Sequence, residues 1–250
     1  MEVIMFILGT IFGSFYNVIG YRIPNGKSII YPHSHCTKCK RRLKFYELIP
    51  IFSYIFLKGK CMNCKNKISI FYPTFEFISG LLFMFTYMSF GFSQDFIIAI
   101  TFVSMMIIVT ISDFLYMIIP DEVLIFFGIV IFIEIIFISG ISSAFISVLN
   151  GCASFIIMYI IKKIGDFIFK RESMGGGDIK LMFISGMVLT FPISTLSIFI
   201  GSFIGIIPAL LYAKKHPEGI IPFGPLLALG SIVLLLLHID IDAIVRFYNI

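Results

Sequence analysis

Charge is scarce in this 250-residue chain: 13% of its residues are Asp, Glu, Lys or Arg, while 59% are hydrophobic. Soluble domains average about 25% charged and about 45–50% apolar residues. So few charges cannot keep so much apolar surface from aggregating in water, which excludes a soluble globular protein. Tryptophan is absent, and acids are fewer than bases, 14 against 19. The first apolar run lacks the basic flank of a cleavable signal, since Glu2 precedes it, so none is expected. Cysteine is sparse as well. Two close pairs and a lone Cys152 point to metal or redox chemistry and away from a disulfide framework.

What the chain does have is long apolar runs. A transmembrane helix needs about 20 mostly apolar residues, and eight runs approach that length. They are Val3 to Tyr21, Pro73 to Phe90, Phe96 to Ser112, Val123 to Ser139, Ile141 to Ile161, Ile179 to Phe191, Ser194 to Ala213, and Ile221 to His238. The sixth is short, and Pro192 is expected to end it. The expected fold is an all-α polytopic membrane protein of about eight transmembrane helices, with a small zinc-binding cytosolic loop between helices 1 and 2.

The basic excess is not spread as a nucleic-acid surface would require, so no nucleic-acid partner is expected. Eleven of the 19 basic residues lie between Arg22 and Lys67, where Glu47 is the only acid. Five more follow the fifth run (Lys162, Lys163, Lys170, Arg171, Lys180) and two follow the seventh (Lys214, Lys215), leaving Arg246 alone on the other side. Short loops rich in Lys and Arg stay in the cytoplasm. The basic loop is therefore expected in the cytosol and both termini outside. The implied organisation is a first helix (1–21), a basic four-cysteine domain (22–72) and a membrane domain (73–250).

Within the loop, Cys36-Thr37-Lys38-Cys39 and Cys61-Met62-Asn63-Cys64 form two CxxC knuckles. Four thiolates at this spacing suit a tetrahedral zinc ion with bonds of about 2.3 Å. Two reducible disulfides or free thiols are the alternative. With all four positions filled by sulfur, the expected zinc is structural. His33 and His35 flank the first pair and are possible substitutes for a sulfur.

Acids within or beside the apolar runs are expensive and functional candidates by default. Asp113 ends the third run. Asp178 opens the sixth, directly after Gly175, Gly176 and Gly177. An odd-numbered span finishes on the cytosolic side and an even-numbered one starts there, so both carboxylates are expected at one membrane depth. Three glycines permit close approach of an extended chain. Two carboxylates sharing a site cannot both ionise easily and titrate as a unit: the charged one activates water while the protonated one supports a carbonyl oxygen. The plainer alternative makes both helix-end groups, with Asp178 an N-cap. Asp121 and Glu122 read as helix caps, Glu134 as a polar contact inside the bundle, and Cys152 as a small apolar residue.

These segments together resemble the type IV prepilin peptidases, over nearly the whole length. Gly13-Ser14-Phe15-Tyr16-Asn17-Val18, Arg22-Ile23-Pro24, both CxxC pairs, Glu47-Leu48-Ile49-Pro50, Ser53-Tyr54, Gly59-Lys60-Cys61, and Tyr72-Pro73 with Glu76 agree in order. So do Asp113, Ile119-Pro120-Asp121, Gly175 to Lys180, and Pro222-Phe223-Gly224-Pro225. Phe71 stands where the family commonly carries a basic residue. The resemblance implies a GxGD-type intramembrane aspartyl protease of the bacterial plasma membrane, its catalytic pair mapping onto Asp113 and Asp178. The implied partners are prepilins and pseudopilins, cut on the cytosolic side. It also implies N-methylation of the new terminus by S-adenosylmethionine, with Gly59, Lys60 and Glu76 as contributors. The competing readings are a protease without methyl transfer and a cation transporter with a regulatory zinc module.

Overall fold

A computed structural model describes residues 1–215 and 222–238, excepting the side chains of 207–215. Arg246 and Ile221 lie outside these residues. All eight apolar runs fall on helices: α1 (Glu2–Arg22), α3 (Phe71–Phe90), α4 (Gln94–Tyr116), α5 (Asp121–Ser139), α6 (Ile141–Phe169), α7 (Gly176–Leu189), α8 (Phe191–Lys215) and α9 (Gly224–Leu236). A single-turn helix, α2 (Phe52–Phe56), lies in the loop between α1 and α3. Among the described residues, four helical segments are long and apolar enough to cross a membrane: Glu2–Asn25, Gln94–Tyr116, Asp121–Ser139 and Ile141–Phe169. With 14 and 13 residues, α7 and α9 rise only about 20 Å at 1.5 Å per residue, short of a hydrocarbon layer about 30 Å thick.

The sixth run does not end at Pro192. Thr190, with φ +68°, breaks the chain after Leu189. Pro192 instead occupies the first turn of α8, where its missing N–H has no helical acceptor to lose.

The chain divides into two compact units, Met1–Gly91 and Phe92–Ile250. In the first, α1 lies along α3. Their backbones touch: a Cβ on Gly9 would stand 2.6 Å from the Ser79 carbonyl oxygen, and one on Gly13 would stand 2.7 Å from the Ser79 side chain. Small residues at such a seam replace the hydrophobic drive that lipid cannot supply.

In the second unit, α4 packs against α5 and α9, α6 against α7, and α8 against α9. Phe102, Met105, Met106 and Ile108 on α4 are fully buried, so this helix is enclosed by protein. Buried serines join the others: Ser154 and Ser194 hydroxyls meet at 2.6 Å, and Ser231 donates to Ser197 at 3.2 Å.

Candidate active site and cysteine cluster

Asp113 lies in the last turn of α4 and is buried. Its Oδ2 accepts the backbone N–H of Gly224, the first residue of α9, at 2.9 Å. The contact needs a glycine: a Cβ at 224 would lie 2.8 Å from Asp113 Oδ2 and 3.1 Å from Ile119 Cδ1. Next to Asp113, the Ser112 hydroxyl donates to the Ile118 carbonyl at 2.5 Å, and Met117 adopts a left-handed conformation. Those two features fold the α4–α5 connection back and bring Ile119 over the site.

Asp178 is buried in the first turn of α7. It is not the N-cap. Gly175 holds that position, and Asp178, three residues on, accepts the Gly175 N–H. That is the return half of a capping box, in which the third helical residue satisfies the capping residue's own N–H. A Cβ on Gly177 would stand 2.7 Å from the Ile119 Cβ. Ile119 therefore touches the glycine before Asp178 and the glycine bonded to Asp113. The two carboxylates also lie within electrostatic range of each other.

Asp121 is not a cap either, for α5 is capped by the Pro120 position. Its carboxylate grips Lys180 Nζ at 2.8 and 2.7 Å, tying the starts of α5 and α7. Glu122 lies in the same first turn, favoured there by the helix dipole. Glu134 accepts the Thr101 hydroxyl at 2.7 Å, the polar contact expected inside the bundle. Cys152 is exposed on α6.

In the first unit, the sulfurs of Cys36, Cys39, Cys61 and Cys64 all lie within 4.8 Å of one another. The Cys36 and Cys64 sulfurs are 3.7 Å apart, close to the edge of about 3.8 Å that a tetrahedron with bonds of about 2.3 Å requires. The two knuckles repeat one fold. Lys40 and Lys65 are left-handed and donate to the carbonyls of Cys36 and Cys61, both at 3.0 Å. The Cys36 and Cys61 N–H groups donate to Arg41 and Asn66 at 3.0 and 2.8 Å. His35 pairs with Arg42 as Lys60 pairs with Lys67. Neither His33 nor His35 joins the sulfurs: the His35 ring contacts the His33 carbonyl at 2.9 Å.

Backbone N–H groups of Cys64 and Asn63 draw the Cys61 thiol down to about 6. The Arg41 N–H lowers Cys39. Cys64 moves the other way, to about 11: the Asn66 N–H lowers it, but burial and the neighbouring sulfurs prevail. Four sulfurs gathered this closely suit a shared cation. The Arg41 guanidinium braces the cluster, forking onto Glu47 at 2.9 and 2.6 Å. That ion pair holds the Glu47 carboxyl below the usual range.

A polar cluster lies where the loop meets α1 and α3. The Glu76 carboxylate accepts the Ile51 N–H at 2.8 Å, and the Ser14 hydroxyl is within hydrogen-bonding reach of it. Ile51 has φ 62° and ψ −55°, while Phe52 N–H bonds the Pro50 carbonyl at 2.6 Å. This is a γ-turn, a strained shape for a β-branched residue. Asn17 donates to the Tyr72 carbonyl at 3.2 Å, and its buried Oδ1 has no partner. Gly59, with φ +65°, lies against the Tyr54 ring, where a Cβ would be 2.9 Å away. Lys60 follows it and is exposed.

The residues 7–90 match the model of the bacterial peptidase A24 N-terminal domain, and residues 100–210 that of the type IV leader peptidase family. A prepilin leader peptidase/N-methyltransferase of Bacillus subtilis is 38% identical over 98% of this chain and 96% of its own length. The chain belongs to the type IV leader peptidase family. Relatives of the same description are 27% identical in Neisseria gonorrhoeae, over 90% of this chain and 86% of theirs, and 25% in Aeromonas hydrophila, over 98% and 92%. No solved structure matches. The two family segments part where the two compact units part, so Asp113 and Asp178 belong to the leader peptidase segment, and the four cysteines and Glu76 to the N-terminal one.

Proposed function

We propose that this member of the leader peptidase family is a multi-pass membrane endopeptidase that removes the basic leader of prepilins and pseudopilins, with Asp113 and Asp178 as the reacting carboxylates. The observation that carries this reading is that two acids from distant parts of the sequence share one buried site roofed by Ile119. One carboxylate takes a proton from water, and the water oxygen adds to the scissile carbonyl carbon. The other carboxyl group donates its proton to the carbonyl oxygen. When the adduct collapses, the C–N bond breaks and the amine leaves with a proton returned from the pair. The N–H groups of Gly224 and Gly175 hold the two carboxylates in place for this exchange.

All eight apolar helices cross or enter the bilayer in this reading, with the basic loop in the cytosol. Asp113 at the end of α4 and Asp178 at the start of α7 then face the inner leaflet. A substrate with a cytosolic basic leader and an apolar helix presents its scissile bond at that level.

The cysteine cluster fits zinc, held by Cys36, Cys39, Cys61 and Cys64. With four sulfurs the ion has no open position, and it serves to fold residues 22–72. The relatives' descriptions also support methylation of the new N-terminus. The methyl donor supplies an electrophilic methyl group on a sulfonium. Glu76 with Asn17, whose buried oxygen lacks a donor, suits a cationic ligand, and Gly59 and Lys60 shape the adjoining loop.

The test is incubation of the purified protein with a synthetic prepilin and S-adenosylmethionine, followed by mass spectrometry. The expected products are the free leader and a mature chain heavier by one methyl group. An intact substrate after incubation with folded protein contradicts the proteolytic reading.

A further inference from the structure

Residues 45–56 expose apolar side chains that the protein does not cover. Phe45, Phe52, Ile55 and Phe56 are 86, 62, 63 and 80% exposed. In α2, Phe52, Ile55 and Phe56 share one side, being three and four residues apart. Tyr54 turns away from them toward Gly59, so the outward orientation of the phenylalanines belongs to the fold of this turn. Exposed patches of large apolar side chains mark interaction sites.

The charges around the patch have one sign. Eleven Lys and Arg lie between Arg22 and Lys67. The only acid there, Glu47, is spent on Arg41, its side chain 2% exposed. Every accessible charge of the loop is therefore positive. The Lys44 ammonium lies over the Tyr46 ring at 5.9 Å, the aromatic and basic pairing that suits a headgroup layer. Both ends of the loop run into apolar helices, α1 and α3, which holds it close to a bilayer.

We propose that the loop lies on the membrane, with Phe45, Phe52, Ile55 and Phe56 in the interface and its lysines and arginines on anionic phospholipid headgroups. This rests on the membrane topology proposed above and is independent of the proteolytic chemistry. The occupant is lipid because the rim is uniformly cationic, and anionic leaflets attract such basic segments. Docked in this way, the cysteine cluster is held at a fixed height above the leaflet.

The absence of tryptophan makes the test direct. Full-length Phe56→Trp protein, the indole its sole fluorophore of that kind, is reconstituted in nanodiscs of phosphatidylcholine with or without phosphatidylglycerol. With phosphatidylglycerol, the emission should shift to the blue, nitroxide lipids labelled near the headgroup should quench it, and acrylamide quenching should fall several-fold. Emission typical of water with full acrylamide access in both lipids overturns the proposal. So does a blue shift without lipid quenching, which would mean that protein covers the patch. Hydrogen exchange of the unaltered protein provides a second readout: residues 45–56 should gain protection on adding phosphatidylglycerol, and equal exchange in both lipids counts against docking. Leader removal is assayed on the same samples, so a loss of activity is distinguished from a loss of docking.

Discussion

The backbone N–H of Gly224 donates to Oδ2 of Asp113 at 2.9 Å, joining the first residue of α9 to the last turn of α4. This bond fixes one carboxylate oxygen of Asp113 in the buried end of α4. It also accounts for a glycine there, because a side chain would collide with the same carboxylate.

Gly224→Ala should therefore slow leader removal by about 10²-fold, the cost of displacing a reacting group by roughly 1 Å. The loss should appear in kcat. Gly128→Ala, whose Cβ would meet Ile184 at an ordinary 3.4 Å, should cleave at close to the wild-type rate. Steady-state kinetics on a synthetic prepilin checks both.

Cys36→Ser or Cys61→Ser should abolish stoichiometric zinc and unfold the loop, since structural zinc contributes an apparent folding energy of about 10–16 kcal/mol. Methylation should suffer more than proteolysis. Metal analysis by plasma mass spectrometry gives the answer, and unchanged zinc content in either variant would rule out the four-sulfur site.

Glu47→Gln should weaken the loop by about 1.5–3 kcal/mol at neutral pH, the worth of hydrogen bonds to a charged group. The folded carboxyl titrates below its unfolded value of about 4.3, held down by Arg41. Its contribution is thus complete above that value and is lost as pH falls through the lower, folded one. The stability gap between wild type and variant should stay constant from pH 6 upward and close in acid, as hydrogen exchange of residues 41–57 would report.

Glu76→Gln and Asn17→Ala should each lower methylation by about 10- to 100-fold, equivalent to about 1.5–3 kcal/mol, while the leader is still removed. Mass spectrometry of the mature N-terminus reads both steps. Equal methylation in wild type and variants would place methyl transfer elsewhere.

Much of this was legible in the sequence. Apolar runs mark helices because lipid forces every backbone group to bond within its own segment, and two CxxC knuckles mark a sulfur tetrahedron. The exact ends were less legible. Thr190, not Pro192, breaks the chain after α7, because proline is as content to start a helix as to stop one. Asp121 reads as a cap until Lys180, distant in sequence, is seen beside it. Two roles left little local signal. Pro222-Phe223-Gly224-Pro225 stands out as a segment, but the hand that Gly224 lends to Asp113 depends on α4 packing against α9. The strained turn at Ile51 gives its N–H to Glu76, far along the chain, and no propensity scale shows such a turn at isoleucine.

The central claim is that Asp113 and Asp178 act together on one peptide bond. The most direct measurement is the cleavage rate of a synthetic prepilin by Asp113→Asn and Asp178→Asn proteins shown to be folded and to retain zinc. Each variant alone should lose at least about 10²–10⁴-fold, the share general acid–base transfer carries, and the double variant should lose little more than either. Wild-type cleavage by either single variant would contradict the account.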